Sequence, residues 1–201
     1  MNNPDNKKTK ELFSRLFVLG IDNKINFLAF TKSIEKSELV KTIEKGMYDD
    51  YLNKPLEEIF FDITGRTIDK DISYGVFNDA YWCGYMYFEL HKKTHKSFAY
   101  IFLKFPLSKM IKAYPVYHEM DFSSLLDYYN VLDKEKTILR ALCEEKGCSI
   151  PKLSQETGIC KTTLSKYNAS DESIYKASFQ NVYKVACYFD VSFSLFVESL
   201  K

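Results

Sequence analysis

Glycine and proline are scarce in this chain of 201 residues, which contains seven glycines and five prolines. Folds built from many β-strands need tight turns, and these two residues supply most of them. The scarcity therefore predicts helices rather than a many-stranded β fold. Long apolar runs are missing as well, and none approaches the roughly 18 residues that cross a bilayer. We expect no membrane-spanning segment and no membrane partner.

Neither sign of charge dominates the composition. The chain has 28 Lys and Arg against 27 Asp and Glu, which gives a net charge of +1. With this balance the surface as a whole has no strong positive or negative field, so the composition does not indicate binding to a nucleic acid or to a basic partner. Hydrophobic residues make up 46% and charged residues 27%, which is typical of a globular protein and excludes a disordered or collagen-like chain.

Cysteines are few and do not occur in metal-binding pairs. Their number is odd, and no two form the C-x-x-C pattern. The N-terminal sequence MNNPDNKKTK is polar and lacks the apolar segment of a signal peptide. We therefore expect a cytoplasmic protein with reduced thiols and without a zinc site. The five cysteines are Cys83, Cys143, Cys148, Cys160 and Cys187.

The patterns of common enzymes are also absent. The chain has no G-x-x-x-x-G-K-[ST], G-x-G-x-x-G or G-x-S-x-G sequence. The HEMD sequence that begins at His118 is not the zinc-binding H-E-x-x-H, and Pro115 before it indicates a turn. His91 and His95 are four residues apart, but they lie at a basic helix end where cations complement the helix dipole. We predict that the protein is not an enzyme and has no metal site or cofactor.

Aromatic side chains are abundant. They make up 16% of the residues, as 16 Phe, 15 Tyr and one Trp. Each such ring carries a large apolar area. An aromatic-rich core is the favoured interpretation, because soluble proteins seldom expose large apolar patches. A surface that binds another protein is the alternative.

Residues 1–131 are predicted to form an aromatic-rich helical domain. Apolar residues at helical spacing begin after a polar start at residues 1–10, and Gly20 is expected to end the first helix. Residues 66–74 are mostly polar and predict a loop. Further helices are predicted near Asn23, over 33–45 with Ser33 as its cap, over 55–65 and over 78–96. Residues 97–105 favour a helix, although a short aromatic run also fits a strand. Pro106 and Pro115 are expected to interrupt the chain before a helix capped by Asp121.

Residues 132–201 are predicted to form five short helices. Ser149 is a candidate N-cap for the second helix, and Pro151 fits its first turn. Gly158 supplies a tight turn, and Ile159 after it is apolar and directed inward. Two short helices joined by a glycine turn form the geometry that places a recognition helix in the major groove.

A family resemblance lies in the same segment. LRALCEEKGCSIPKLSQETGICKTTLSKYN resembles the helix-turn-helix of phage-repressor-like regulators of the Xre/Cro type. KASFQNVYKVACYFDVSFSLFVE resembles the last two helices of that family. The resemblance extends from Leu139 to Glu198 and implies a DNA-binding domain at residues 132–201, so the whole chain is expected to be all-α with two domains.

Outward-facing polar residues on the third and fourth of these helices are the candidate DNA contacts. Lysine reaches guanine or phosphate, threonine touches base edges or phosphates, and a helix N-terminus can hold a phosphate. Lys161 matches a basic residue usual in the family, whereas Ile150 replaces a glutamine that typically holds a phosphate. The predicted DNA-binding residues are Lys161, Thr162, Thr163 and Lys166 on the third helix, and Ser178, Gln180 and Asn181 at the start of the fourth.

The N-terminal region has a second resemblance. SIEKSELVKTIEKGMYDDYLNKPLEEIF is similar to small bacterial proteins encoded beside toxin-like genes, and DAYWCGYMYFELHKKTHKSFAYIF resembles regions found in front of Xre-type modules. This implies a homodimeric antitoxin that binds a cognate toxin and operator DNA and represses its own promoter. The alternative is an inhibitor whose helix-turn-helix docks on protein, since residues 132–201, with ten basic and nine acidic residues, lack a strong basic charge.

Overall fold

The computed structural model describes residues 4–46, 53–68 and 79–198, and these ranges contain fourteen α-helices and no strand. The predicted all-α class is confirmed. The first eight helices are α1 (Pro4–Asp22), α2 (Phe27–Lys36), α3 (Glu38–Glu44), α4 (Leu56–Thr64), α5 (Asp79–Thr94), α6 (Phe98–Lys104), α7 (Leu107–Tyr117) and α8 (Phe122–Glu135). The remaining six are α9 (Ile138–Lys146), α10 (Ile150–Thr157), α11 (Lys161–Ala169), α12 (Asp171–Tyr175), α13 (Phe179–Phe189) and α14 (Leu195–Glu198).

The helices group into two compact units. Unit 1 comprises Met1–Phe102 and Pro106–Leu126, and unit 2 comprises Leu103–Phe105 and Asp127–Lys201. The boundary expected after residue 131 lies inside α8. The assignment of separate functions to residues 1–131 and 132–201 stays a prediction.

The core of unit 1 is built from aromatic rings. Phe13 lies 4.7 Å from Phe98 between ring centroids, and Phe17 lies 5.4 Å from both Phe30 and Tyr87. All five rings are almost completely buried. Ring pairs at these separations add to the stabilisation that comes from burial alone. The abundant aromatic residues of this region therefore form a core, as the composition favours.

Helix α1 differs from its prediction at both ends. It already includes Lys7 and Lys8 of the segment expected to be a polar start, and it continues past Gly20 to Asp22. Gly20 packs on the ring of Phe30, where a Cβ would lie only 2.3 Å from Cζ. The glycine therefore permits a close approach of α2 and does not end the helix.

A predicted cap, a predicted break and a predicted loop in the same region compare as follows with the structure. Ser33 lies inside α2, and Ser37 is the residue whose side chain caps α3 by accepting the N–H of Val40 at 3.2 Å. Pro115 lies inside α7 and does not interrupt it, and the helix ends two residues later, at Tyr117. The predicted loop is helix-free over 66–68, and its remainder, residues 69–74, lies outside the described residues.

Six helices follow α8 in the described residues, one more than the five predicted for residues 132–201. The short α12 follows α11 directly and buries Ile174. Lys104, whose side chain is 1% exposed, donates to the carbonyl oxygens of Asp133, at 2.9 Å, and Lys136. Its ammonium also lies 3.9 Å from a carboxylate oxygen of Asp171, the first residue of α12. This buried cation holds the end of α8 and the start of α12 together.

Candidate nucleic-acid interface

Helices α10 and α11 form a helix-turn-helix. The hydroxyl of Ser149 caps α10 by accepting the N–H of Lys152 at 3.4 Å. Gly158 then takes a left-handed conformation with φ of 68°, which favours glycine. The hydroxyl of Ser154 donates to the carbonyl of Ile159 at 2.7 Å and closes the turn. The local sequence thus fixes both the end of α10 and the start of α11.

Four buried side chains set the direction of α11. Leu153 of α10, Ile159 of the turn, and Leu164 and Tyr167 of α11 are each at most 5% exposed. Because Leu164 and Tyr167 are three residues apart, they share one face of α11. The opposite face of α11 is therefore directed to solvent.

The outer face of α11 carries most of the predicted DNA contacts. Lys161, Thr162 and Lys166 are exposed, whereas Thr163 is half-buried at the edge of that face. Ser165 is exposed as well and lies one helical turn after Lys161. Ser165 is not among the predicted DNA contacts, although the helical spacing that directs Lys166 to solvent also directs Ser165 to solvent. The structure brings two cations and two hydroxyl groups to one surface.

A thiol occupies the start of α11. Cys160 is the N-cap residue, and its Sγ lies 3.2 Å from the Thr162 hydroxyl. This hydrogen bond lowers the pKa of the Cys160 thiol. The Thr162 hydroxyl thus has a partner at the start of its own helix.

The three residues predicted at the start of α13 differ in their hydrogen bonds. Gln180 is exposed. The Ser178 hydroxyl caps the helix by accepting the N–H of Asn181 at 3.4 Å. The side-chain amide of Asn181 donates to the Tyr167 hydroxyl at 3.2 Å. Asn181 therefore joins α13 to α11 and Ser178 caps α13, whereas Gln180 and Ser178 are both exposed.

Two lysines outside the prediction lie near the same elements. Lys152 is exposed on α10. The Nζ of Lys184, on α13, is 4.0 Å from the position that a Cβ on Gly158 would occupy. Sequence spacing offered no signal for Lys184, because it lies 26 residues from the turn and only the fold brings it close. Ile150, at the position of the expected glutamine, is half-buried.

The histidines have local structural partners. His118 stacks on Tyr114 with ring centroids 4.5 Å apart. His91 stacks on Phe98 at 4.5 Å, its Nδ1 lies 2.7 Å from the carbonyl oxygen of Lys96, and burial lowers its pKa. Across the ranges that the model describes, no group of three or more His, Cys, Asp and Glu side chains is placed to hold a metal ion.

The two buried thiols, those of Cys83 and Cys143, have raised pKa values. Cys83 is fully buried in α5, and burial raises its pKa far above the ordinary value. Burial likewise raises the pKa of Cys143 to about 11. Thiols that stay protonated are poor nucleophiles and metal ligands.

Comparisons and hydropathy add two findings. Of the helices in the described parts of the chain, none is both long and apolar enough to cross a membrane. A scan against protein-family models, a search of curated proteins and a search of solved structures find no match to this chain.

Proposed function

We propose that residues 132–201 bind duplex DNA and that the protein is a transcriptional regulator. The observation that carries the proposal is the glycine turn between α10 and α11, which directs Lys161, Thr162 and Lys166 outward from a buried Leu164 and Tyr167. A helix of this kind after such a turn is the element that helix-turn-helix proteins insert into the major groove.

In this mechanism the protein represses by occupying its operator. Contacts of lysines with phosphates hold α11 in register, and side chains on its outer face read base edges. Lys152 and Lys184 add positive charge beside the turn. Asn181 acts by holding α13 against α11 through its hydrogen bond with Tyr167, and Ser178 acts by capping α13.

We further propose that residues 1–131 bind a protein toxin and that the chain is the antitoxin and autorepressor of its operon, in the cytoplasm. Unit 1 has its own aromatic core, so it is a self-contained module. It also exposes Phe27 and Leu28 on α2 and Phe61 on α4. Exposed apolar side chains of this size are typical of surfaces that contact another protein.

The second candidate function is a protein inhibitor whose helix-turn-helix is a docking surface. The near-neutral charge of residues 132–201 favours it, because DNA-binding domains commonly carry a strong basic charge. Ile150 favours it too, since an apolar residue replaces a polar one at the start of α10.

DNA binding is tested with a labelled random-sequence duplex of about 24 base pairs, long enough for two half-sites one helical turn apart. Its fluorescence anisotropy is measured against the full chain at several salt concentrations. We expect the variant Lys161→Ala/Lys166→Ala to bind at least about 30-fold more weakly, with the slope of log K against log salt reduced by about two, because two cations leave the interface.

The matched control is Lys112→Ala/Lys134→Ala, which removes the same charge from exposed positions on α7 and α8. The control should bind like the unmodified chain. Equal affinities for the two double variants, both folded by circular dichroism, would refute the assignment of α11 as the DNA-reading helix. Binding of the unmodified chain to the duplex that does not weaken with salt would also contradict it. Duplexes selected from the random pool then give the operator.

A further inference from the structure

Two cysteines meet where α9 ends and the chain turns toward α10. Gly147 ends α9 in a left-handed conformation with φ of 61°. The N–H of Cys148 donates to the carbonyl oxygen of Cys143 at 2.8 Å, and the N–H of Gly147 donates to the carbonyl oxygen of Glu144 at 3.3 Å. These two bonds form the Schellman motif, in which the side chains at the positions of Cys143 and Cys148 commonly contact each other. The backbone therefore brings two thiols to the same helix end.

The distance between the two residues suits a disulfide. Because a backbone hydrogen bond of 2.8 Å joins them, their Cα atoms lie no more than about 6.7 Å apart. Disulfides span Cα separations of up to about 6.8 Å. The thiols of Cys143 and Cys148 are themselves close enough to form a hydrogen bond. Joining the two sulfur atoms therefore requires rotation of side chains and no rearrangement of helices.

The two thiols differ in their surroundings. Cys143 is buried, and burial keeps its thiol protonated by raising its pKa to about 11. Cys148 is half-buried, and its Sγ lies 3.2 Å from the hydroxyl of Tyr188 on α13. The ammonium of Lys146 lies 4.0 Å from the centroid of the Tyr188 ring, so a cation borders the site. Reactive cysteines are typically partly exposed and close to a cation. Cys148 is therefore the more reactive of the two thiols.

We propose that Cys143 and Cys148 form a reversible disulfide when the protein encounters hydrogen peroxide. Cys148 Sγ attacks one peroxide oxygen, the O–O bond breaks, and the departing hydroxide takes the thiol proton and leaves as water. Cys148 is then a sulfenic acid. Cys143 Sγ attacks the Cys148 sulfur, an S–S bond forms, and the S–O bond breaks to release a second water with the Cys143 proton. The two sulfur atoms lose two electrons in total, and the peroxide is reduced to two waters.

The proximity of the two sulfur atoms compensates for the small thiolate fraction of Cys143. A reacting group that is held beside its target acts at a high effective concentration, whereas a thiol on another molecule is limited by its concentration in solution. The disulfide connects the last turn of α9 to the residue before the Ser149 cap of α10. The inference needs only the geometry at the end of α9, so it stands or fails independently of DNA binding.

Peptide mapping of the peroxide-treated chain tests the inference. The full chain is reduced, treated with hydrogen peroxide, alkylated with N-ethylmaleimide and digested with trypsin without reductant. Cleavage after Arg140, Lys146 and Lys152 places the two cysteines on separate peptides, 141–146 and 147–152. We expect mass spectrometry to find these peptides joined by a disulfide that dithiothreitol reverses. This disulfide should form at a rate independent of protein concentration and be at least about tenfold more abundant than any other disulfide of the chain.

Three variants assign the steps. Cys148→Ser should abolish the disulfide and leave Cys143 reduced. Cys143→Ser should leave a sulfenic acid on Cys148, which dimedone traps. The matched control Cys187→Ser removes an exposed thiol of α13 and should form the disulfide at the rate of the unmodified chain. Far-UV circular dichroism checks the fold of each variant, and the mapping of the unmodified chain needs no substitution.

Three results would overturn the inference. The first is that peptides 141–146 and 147–152 stay unlinked at a peroxide concentration that oxidises the exposed Cys160. The second is a rate of disulfide formation that rises with protein concentration, which indicates a reaction between molecules. The third is oxidation of Cys143 in the Cys148→Ser variant to the same extent as in the unmodified chain.

Discussion

At the scale of single residues, the buried ammonium group of Lys104 connects separate segments of unit 2. It lies among backbone carbonyls and the carboxylates of Asp133 and Asp171. A buried group of this kind is stable only while it is paired, and removing one partner leaves the others desolvated and unpaired.

Lys104→Met should therefore lower the free energy of unfolding of unit 2 by about 3 kcal/mol, because the methionine fills the volume but leaves the carbonyls and carboxylates unpaired. Urea titration followed by far-UV circular dichroism measures the loss. The loss should persist at high salt, since a dry site is screened weakly.

The control for this prediction is Lys41→Met, which breaks the exposed pair of Lys41 with Glu38. Exposed pairs add little to stability, so this change should lie within the error of the titration. A Lys104→Met protein as stable as the unmodified chain would show that the buried contacts contribute nothing net.

Residues that act on their own neighbours were predictable from the sequence. Ser149, Gly65 and Gly158 cap or end their helices as expected, because a cap needs only the backbone within a few residues. Lys104 was not predictable as an anchor. Its partners lie about 30 and 67 residues away in the chain, and nothing local distinguishes it from a solvated lysine.

At the scale of elements, the contact of α1 with α5 depends on Gly84. A Cβ on Gly84 would lie 2.7 Å from the Cα of Ser14 and 3.0 Å from the carbonyl oxygen of Phe13. Both are backbone atoms of α1, which cannot rotate away. The glycine thus sets how closely the two helices approach.

Gly84→Ala should destabilise unit 1 by about 2 kcal/mol, because the clash outweighs the roughly 1 kcal/mol by which alanine is the better helix former. Trp82, the single tryptophan, lies two residues away and is 1% exposed, so its fluorescence in a urea titration reports this unit.

Ser123→Ala, at an exposed position of α8, is the comparison for this substitution. It should change stability by less than about 0.5 kcal/mol. A stabilising effect of Gly84→Ala would mean that α1 and α5 are free to separate.

Helix boundaries were predicted best where the local sequence and the packing agree. Helix α13 starts at Phe179, where Ser178, Gln180 and Asn181 were predicted to begin the fourth helix, and it combines an apolar stripe with Ser178 as a cap. The short α12 was missed, since five residues form too brief a periodic pattern to be recognised. Gly20 was misinterpreted because its role is to accommodate the ring of Phe30 on another helix.

At the scale of the whole molecule, salt should separate the two candidate functions of residues 132–201. DNA binding releases counterions from phosphates, so it weakens as salt increases. Docking on a protein through apolar side chains releases few counterions, so it should respond little to salt.

Between about 50 and 200 mM salt, we expect the affinity of the full chain for a random duplex to fall at least about tenfold, as the counterion relation requires for several phosphate contacts. Fluorescence anisotropy measures the affinity. An affinity that stays constant over this range would contradict binding through phosphates and favour the docking surface.

The sequence by itself determined the all-α class, the Ser149 cap and the Gly158 end of α10, and the outward direction of Lys161, Thr162 and Lys166. Each of these depends on helical periodicity or on backbone groups a few residues away. The tertiary structure decided which side chains meet: Asn181 with Tyr167, Lys184 beside Gly158, and Lys104 between α8 and α12. These pairs are set by how helices distant in sequence pack. The periodicity of one helical segment does not reveal which distant segment packs against it.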